Sequence, residues 1–135
     1  MELMTAEEFK KLGEAGSKPK KKRDNPEHRL QCSIVETLDK AEIMFFAVPN
    51  GGKRDRKTAE DLRKEGLRPG VSDLILLLPK RAVFVEVKVP GNYQSPKQKT
   101  FQKVVELLGF EYHVWKSQEE AKEFIKSCTN TGRNQ

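Results

Sequence analysis

Three ionisable residues lie within or beside two strongly apolar segments in the middle of the chain. Asp73 directly precedes a run of five apolar residues, and Glu86 and Lys88 alternate with valines in the next segment. If the segments pair as an antiparallel hairpin about residues 79–81, Asp73 lies opposite Lys88 with Glu86 on the neighbouring diagonal, on one face. Ionised groups in an apolar sheet are costly unless they are compensated. A divalent cation would compensate the two carboxylates and leave the lysine to meet an anionic substrate, which predicts the site of a metal-dependent nuclease.

An ordinary edge strand is the alternative interpretation of the second segment. Its valines alternate with Phe84, Glu86 and Lys88, a pattern that is typical of a half-exposed strand. An exposed Glu–Lys pair of that kind contributes little to stability. Two features favour the buried site instead. Residues 74–78 show no alternation, as in a strand covered on both faces, and Phe84 shares a face with the two charged residues.

Size, charge and cysteine content narrow the classes of protein to which the chain can belong. Its 135 residues suffice for one domain with a real core and not for two. The net charge of +6 indicates a polyanionic partner or an acidic membrane surface. No apolar run reaches the roughly 18–20 residues that cross a bilayer, and the N-terminus lacks a signal-peptide pattern. Two cysteines are too few for a disulfide framework or a zinc site, so we expect an intracellular protein that meets nucleic acid.

Two basic clusters are candidates for contact with phosphates. The run 18–23 is interpreted either as a solvated, disordered arm or as an arm that binds DNA non-specifically by releasing counterions. The second cluster, residues 53–57, precedes a polar helix over residues 58–65, which is either a lid over the sheet edge or a solvated connector. The predicted DNA-binding residues are Lys20, Lys21, Lys22, Arg23, Lys53, Arg54, Arg56, Lys57 and Arg68.

Helix and strand signals divide the chain into three parts. Residues 1–24 are expected to form a short helix and the basic arm, residues 25–127 the folded domain, and residues 128–135 a disordered tail. Within the domain the order is helix, strand, basic insertion, two strands, helix, strand and helix. This order predicts an α/β fold with a small mixed central β-sheet flanked by helices.

Three further polar residues have both a structural and a functional interpretation. Glu27 lies in the first turn of a helix that begins at Asn25-Pro26, where an acidic side chain favours the helix dipole. Glu27 and Gln31 nevertheless lie on or beside the inward stripe, where they need polar partners. Gln98 either completes a capping box with Ser95 or hydrogen-bonds the lysine or a water at the metal. The sequence leaves both interpretations open.

Five short motifs follow one another along the chain: Glu27-x-x-x-Gln31, Val48-Pro-Asn-Gly, Gly70-Val-Ser-Asp73, Glu86-Val-Lys88 and Ser95-Pro-Lys-Gln98. In this order they resemble the virus-type replication-repair nuclease (VRR-NUC) domain of the PD-(D/E)XK nuclease superfamily. The resemblance covers about residues 25–127. One departure is Ser72, which stands where the superfamily's nominal motif has proline.

The resemblance implies a PD-(D/E)XK (restriction-endonuclease-like) core and a role for each matched residue. Asp73 and Glu86 would ligate Mg²⁺ or Mn²⁺, assisted by the main-chain carbonyl of Val87. Glu27 would help to hold the metal or its water shell. Lys88 would orient or activate the attacking water and offset charge on the scissile phosphate. The residues that would support this site are Gln31 and Gln98.

The resemblance also implies a substrate and an assembly. Stand-alone members of the family, in bacteriophages and bacteria, resemble Holliday-junction resolvases that act as homodimers on branched DNA. We expect a structure-selective endonuclease of that kind in the cytoplasm of a bacterium or a bacterial host. The alternatives are a nuclease of the same fold that acts on flaps, ends or unbranched duplex, and a non-catalytic DNA-binding module. Residues 58–65 and the arm before Asn25 are candidates for the dimer surface.

Overall fold

A four-stranded sheet organises the part of the chain that the computed structural model describes, residues 4–12, 25–49 and 56–133. The strand order is β1-β2-β3-β4, antiparallel at the first two pairings and parallel at the last. This arrangement confirms the predicted mixed sheet. In chain order the elements are α1 (Ala6–Lys11), α2 (Pro26–Lys40), β1 (Met44–Ala47), α3 (Arg56–Lys64), β2 (Leu74–Leu78), β3 (Arg81–Val87), α4 (Pro96–Leu107), β4 (Glu111–Trp115) and α5 (Gln118–Arg133).

The turn between β2 and β3 is shorter than the sequence predicts. Leu78 pairs directly with Arg81, so only Pro79 and Lys80 connect the two strands. Lys80 adopts the left-handed conformation with φ +58° that a two-residue loop often requires. Arg81 belongs to β3 rather than to the turn, since it pairs with Leu78, and its guanidinium forms an ion pair with Glu111 of β4 at 2.6 Å.

The observed register differs from the predicted one in which residues face one another across the hairpin. Leu74 is opposite Val85. Continuing that register by one residue places Asp73 opposite Glu86. The predicted pairing of Asp73 with Lys88 is therefore wrong. Because side chains alternate between faces with a period of two, and the predicted register was off by two residues, each side chain still has its predicted face.

Helices cover both faces of the sheet. α2 and α5 pack together on one face. α4 packs on the other, where the ring of Phe84 contacts the rings of Phe101 and Phe110 at centroid distances of 5.8 and 5.9 Å. Leu77 on this second face is 46% exposed, so the prediction that both faces are covered holds for only part of β2. The core between the sheet, α2 and α5 consists of Ile34, Leu38, Leu74, Leu76, Val83, Val85, Val87, Trp115, Ala121 and Phe124.

Capping residues set the starts of the two helices that carry predicted site residues. The side-chain oxygen of Asn25 accepts a hydrogen bond from the backbone N–H of His28 at 3.2 Å, and Pro26 occupies the first position of α2. The hydroxyl of Ser95 accepts one from the backbone N–H of Gln98 at 3.2 Å and starts α4. Both helix starts agree with the prediction.

The C-terminal helix is longer than predicted. α5 continues through Arg133, so the expected disordered tail from residue 128 is wrong up to that point. The hydroxyl of Thr129 donates to the carbonyl of Ile125 at 3.1 Å, one turn earlier. Helical backbone bonds can thus extend the helix past its last core residue, where the apolar pattern no longer indicates it.

The helices α1 and α3 lie outside the core. α1 begins at the predicted capping box of Thr5 and Glu8, and the ammonium of Lys10 lies 3.3 Å from the carboxylate of Asp39 in α2. α3 buries no residue, so its role as a lid or a connector stays a prediction. None of the helices in the described ranges combines the length and apolarity of a membrane span.

Candidate active site

Asp73 is held at the junction of three strands. Its main-chain carbonyl accepts a hydrogen bond from the backbone N–H of Val48 at 2.9 Å, which extends the pairing of β1 with β2. Its Oδ2 accepts one from the backbone N–H of Val87 at 2.7 Å. Ser72, where the family's nominal motif has proline, is buried and donates its hydroxyl to the carbonyl of Leu74 at 3.3 Å. The position of the Asp73 carboxylate is therefore determined by backbone contacts on both sides.

Glu86 is buried in an interior strand. β3 lies between β2 and β4, and only 1% of Glu86 is exposed. The interpretation of this segment as a half-exposed edge strand is therefore wrong. By alternation along β3, Glu86 lies on the face covered by α4, as does Phe84. A buried carboxyl group on such a face needs polar partners.

Glu86 has those partners on two other elements. The Gln98 side-chain amide, in the first turn of α4, donates from Nε2 to Glu86 Oε1 at 3.0 Å. The Tyr112 hydroxyl, on β4, lies 3.4 Å from Glu86 Oε2 and in turn accepts from Gln94 Nε2 at 3.2 Å. Gln98 also completes the capping box, since its Oε1 accepts from the backbone N–H of Ser95 at 2.8 Å. Gln98 therefore caps α4 and contacts the candidate site at the same time. The prediction gave the lysine or a water as its partner in the site, and the partner in the structure is Glu86.

Tyr112 and Gln94 were missed in the sequence. Tyr112 pairs with Phe84 in the parallel register of β3 and β4, and so lies diagonally across from Glu86 on the same face. The alternation of β4 could have identified Tyr112 as inward-facing. Its contact with Glu86 depends on a pairing between strands separated by a helix, which local patterns do not specify.

Burial and neighbouring charge raise the pKa of Glu86 from its ordinary value to about 8. Desolvation is the largest cause, followed by the charge of Asp73 and a hydrogen bond with it. Lys88 opposes the shift, and the charge of Glu27 adds the smallest contribution. Burial, and then the charge of Glu86, also raise the pKa of the Tyr112 hydroxyl. Glu86 therefore interacts electrostatically with all three of the other charged residues in the predicted site.

The metal-free protein is expected to lose stability between pH 4.5 and about 8. Because the folded pKa of Glu86 lies above its ordinary value of 4.5, the native state retains a proton that the unfolded state releases over this range. Stability is fully present below the lower pKa and levels off at a reduced value above the higher one. Glu86→Gln cannot titrate, so urea midpoints of the two proteins in EDTA should diverge from pH 5 to 8. Parallel pH profiles would contradict the burial of an ionisable Glu86.

Glu27 and Gln31 line the same cavity as Asp73. This cavity has a volume of about 540 Å³ and is also lined by His28 and by Val48. Both predicted residues lie in the first turns of α2, one turn apart. The sequence placed Glu27 and Gln31 on or beside the inward stripe of α2 without identifying polar partners for them. This cavity provides polar surroundings for both residues. Their roles in the site stay predictions.

The donor atoms around Asp73 and Glu86 fit a hard divalent cation. Carboxylate oxygens are the ligands that Mg²⁺ and Mn²⁺ prefer, and a cation would offset the burial of the Glu86 charge and its repulsion by Asp73, which together raise the pKa of Glu86. Within residues 4–12, 25–49 and 56–133, no three His, Cys, Asp or Glu side chains come together as a metal site. Ligation by Glu27 and by the Val87 carbonyl therefore stays a prediction. Lys88, whose backbone N–H donates to the carbonyl of Trp115 at 3.0 Å, follows β3 directly.

The predicted DNA-binding residues are distributed between described and undescribed parts of the chain. Residues 20–23 and 53–54 lie outside the described residues. Arg56 and Lys57 are exposed in the first turn of α3, with Arg56 at 3.8 Å from Glu60. Arg68 donates from Nη1 to the carbonyls of Arg63 and Leu67 at 3.0 and 3.1 Å, so it closes the C-terminal end of α3. DNA contact by any of them stays a prediction.

Gly70 brings the segment that leads to Asp73 against the first turn of α4. Its φ is +85°, and a Cβ atom at this position would lie 2.5 Å from the carbonyl oxygen of Lys97. Only glycine permits both this backbone conformation and this approach. Gly70 lies three residues before Asp73 and Lys97 directly precedes Gln98, so the contact joins the two segments that carry these site residues.

Comparisons with known proteins identify the family and the fold. The VRR-NUC domain model matches residues 20–119. A solved VRR_NUC domain shares 22% identity over 76% of this chain and 97% of its own length, with a TM-score of 0.58. A solved VRR_NUC domain protein shares 16% identity over 78% and 89% of the two chains, with a TM-score of 0.63. Curated proteins give no significant match.

These structural likenesses establish the fold alone, because both identities are low. The mixed four-stranded sheet with flanking helices matches the fold of these domains, which is consistent with the predicted PD-(D/E)XK core. The family match spans well over half of the 135 residues. The chain belongs to the VRR-NUC family of nuclease-type domains.

Proposed function

We propose that this protein is a metal-dependent endonuclease that hydrolyses phosphodiester bonds in branched DNA. The observation that carries the proposal is the pair of carboxylates, Asp73 and Glu86, on neighbouring strands of a buried sheet end. Its support is the register of β2 and β3, in which Leu74 pairs with Val85 and Asp73 therefore lies opposite Glu86, together with the charge of Asp73, which after burial helps to raise the pKa of Glu86. A buried carboxylate beside a second carboxylate destabilises a fold, and a bound cation would offset that cost by neutralising both charges. VRR-NUC nucleases generally depend on divalent metals, which agrees with this assignment.

In this proposal Asp73 and Glu86 hold Mg²⁺ or Mn²⁺, with Glu27 and the Val87 carbonyl as additional donors. When bound, such an ion polarises the phosphoryl group and lowers the pKa of the attacking water. Lys88 orients that water and offsets the negative charge that accumulates on the scissile phosphate. Gln98 holds the Glu86 carboxylate, and the cavity beside Gln31 leaves room for substrate.

A homodimer with two sites is the assembly that we propose for branched DNA. Its support is an apolar surface at the C-terminal end of α4, where Val104, Leu107, Leu108 and Phe110 are 48, 79, 70 and 47% exposed. Lys103 and Glu106 lie on the same helix beside this surface. A second copy packed antiparallel across a two-fold axis could pair each lysine with the partner's glutamate. DNA is a poorer occupant, because apolar side chains and a glutamate do not suit phosphates.

The α4 surface is expected to control oligomeric state. Leu107→Glu places a charge where two copies would meet, so the variant should sediment as a monomer and lose paired cleavage while single-strand nicking continues. Leu12→Glu, at a leucine that is also exposed but lies at the end of α1, is the matched control and should stay dimeric. Analytical ultracentrifugation of both variants decides the question. A dimeric Leu107→Glu would exclude this surface.

The function is tested by cleavage of matched labelled DNAs in Mg²⁺ or Mn²⁺. The substrates are a four-way junction, a flap, a linear duplex and a single strand, with Glu86→Gln as the control for contaminating nucleases. Paired, symmetric cuts confined to the junction are expected. Cleavage of flaps or ends instead would retain the active site and reject the resolvase activity. Binding with no metal-dependent cleavage of any substrate would reject the nuclease.

A further inference from the structure

Tyr112 and Gln94 form a directional chain of hydrogen bonds that ends on Glu86. Gln94 Nε2 lies 3.2 Å from the Tyr112 hydroxyl oxygen, and that hydroxyl lies 3.4 Å from Glu86 Oε2. A phenol has one proton to donate, and an amide nitrogen can only donate. If Gln94 donates to Tyr112, the phenol proton is directed at the carboxylate. With Glu86 ionised, as a metal ligand is, the two bonds are therefore mutually consistent in only one direction.

The tyrosine side chain is held in place by packing. Tyr112 is 8% exposed, and its ring packs edge to face against the ring of Phe101 in α4, with the two ring centroids 6.2 Å apart. Its backbone is paired with Phe84 in the interior strand β3. A hydroxyl on such a ring has little freedom to leave Glu86, which is what a group that orients a ligand requires.

Both oxygens of the Glu86 carboxylate accept hydrogen bonds from the protein. Oε1 accepts from Gln98 at 3.0 Å, and Oε2 is the one that faces Tyr112. A carboxylate has about four lone-pair positions, so two bonds leave capacity for a cation beside Asp73. Partners behind a metal ligand fix its orientation, and their loss typically lowers metal affinity by about 10–100-fold.

We propose that Tyr112, supported by Gln94, is a positioning residue that orients the Glu86 carboxylate toward the cation. This inference rests on the proposed function, because it assumes that Glu86 is a metal ligand. Neither residue belongs to the motifs that identify the family in this chain. Tyr112 acts through Glu86 and has no contact with substrate in this assignment.

The first test is the affinity of the DNA-free protein for Mn²⁺, measured by isothermal titration calorimetry. Tyr112→Phe removes only the hydroxyl and should weaken Mn²⁺ binding about 10-fold or more. Tyr93→Phe is the matched control, since Tyr93 is 80% exposed, and it should bind as the wild type does. An affinity of Tyr112→Phe within twofold of the wild type, with unchanged thermal stability, would overturn the proposal.

The second test separates positioning from general destabilisation. Gln94→Leu should weaken Mn²⁺ binding in the wild-type background but have no further effect in Tyr112→Phe, because Gln94 acts only through the tyrosine. Additive effects of the two substitutions on Mn²⁺ affinity would contradict the proposed chain of hydrogen bonds from Gln94 through Tyr112 to Glu86. If Tyr112→Phe fails to fold, Gln94→Leu alone still tests the proposal. A Gln94→Leu protein with a Mn²⁺ affinity within twofold of the wild type would contradict it.

Failure of this inference can be told apart from failure of the proposed function. A wild-type protein that binds no Mn²⁺ and cleaves none of the DNAs would reject the nuclease itself, and the positioning role with it. A wild type that binds and cleaves, with a Tyr112→Phe variant that does both equally well, would reject only the positioning role.

Discussion

Glu86→Gln is expected to lower metal-dependent DNA cleavage by at least about 10³-fold, a loss of about 4 kcal/mol of transition-state stabilisation. The substitution keeps the size of the side chain and a carbonyl oxygen for Gln98, but it removes the charge that holds a cation. Asp73→Asn should have an effect of the same size, because its carboxylate faces the same cation. Glu123→Gln removes the same charge from an exposed position on α5 and should cleave normally.

DNA binding should survive these substitutions. Without metal, Glu86 is mostly protonated at pH 7, since its pKa is raised to about 8. Glu86→Gln should therefore bind junction DNA within a few-fold of the wild type when anisotropy is measured in EDTA. Asp73→Asn should bind as well or tighter, since a carboxylate that repels phosphates has been removed. Normal cleavage by either variant would show that the site lies elsewhere.

Gly70→Ala is expected to destabilise the fold by about 2–4 kcal/mol and to reduce cleavage about 100-fold. Part of the first effect is backbone strain at φ +85°, and the larger part is the conflict between a new Cβ and the Lys97 carbonyl oxygen, 2.5 Å apart. Relief of that conflict moves either the segment before Asp73 or the first turn of α4. A displacement of about 1 Å at a catalytic group can lower a rate by that factor.

Gly91→Ala is the matched control for this prediction. Gly91 has a φ of +93°, close to that of Gly70, but a Cβ there meets nothing within 4 Å. The control should therefore show the strain alone, about 1 kcal/mol by urea denaturation, with normal cleavage of the folded protein. Equal destabilisation and equal activity of the two variants would show that the approach of Gly70 to α4 does not position the site.

The sequence was sufficient to place Asp73, Glu86 and Lys88 on one face of a hairpin, but not to pair them correctly. The alternation of side chains along one strand has a period of two, which is a local property. Which side chains of two strands share a face depends also on their register, and in this hairpin only Pro79 and Lys80 connect the strands. The predicted faces agree with the structure because the error in register was two residues, and an even shift preserves every face.

The sequence did not predict contacts between elements that are far apart in the chain. Capping residues predicted where α2 and α4 begin, since a cap is set by residues three apart. The same residues did not indicate that Gln98 bonds Glu86 while it caps α4, as the two are joined only when α4 packs on the sheet.

The chain's own pattern determined the fold class and predicted two carboxylates and a lysine on one face of the sheet, because alternation, capping and composition act over a few neighbouring residues. Tertiary structure alone decided that Asp73 faces Glu86, that Gly70 meets Lys97, and that Tyr112 reaches the carboxylate. Each of these contacts joins segments that the packing of the sheet and α4 brings together. The free energy of that packing depends on residues far apart in the chain, so no local stretch of sequence predicts it.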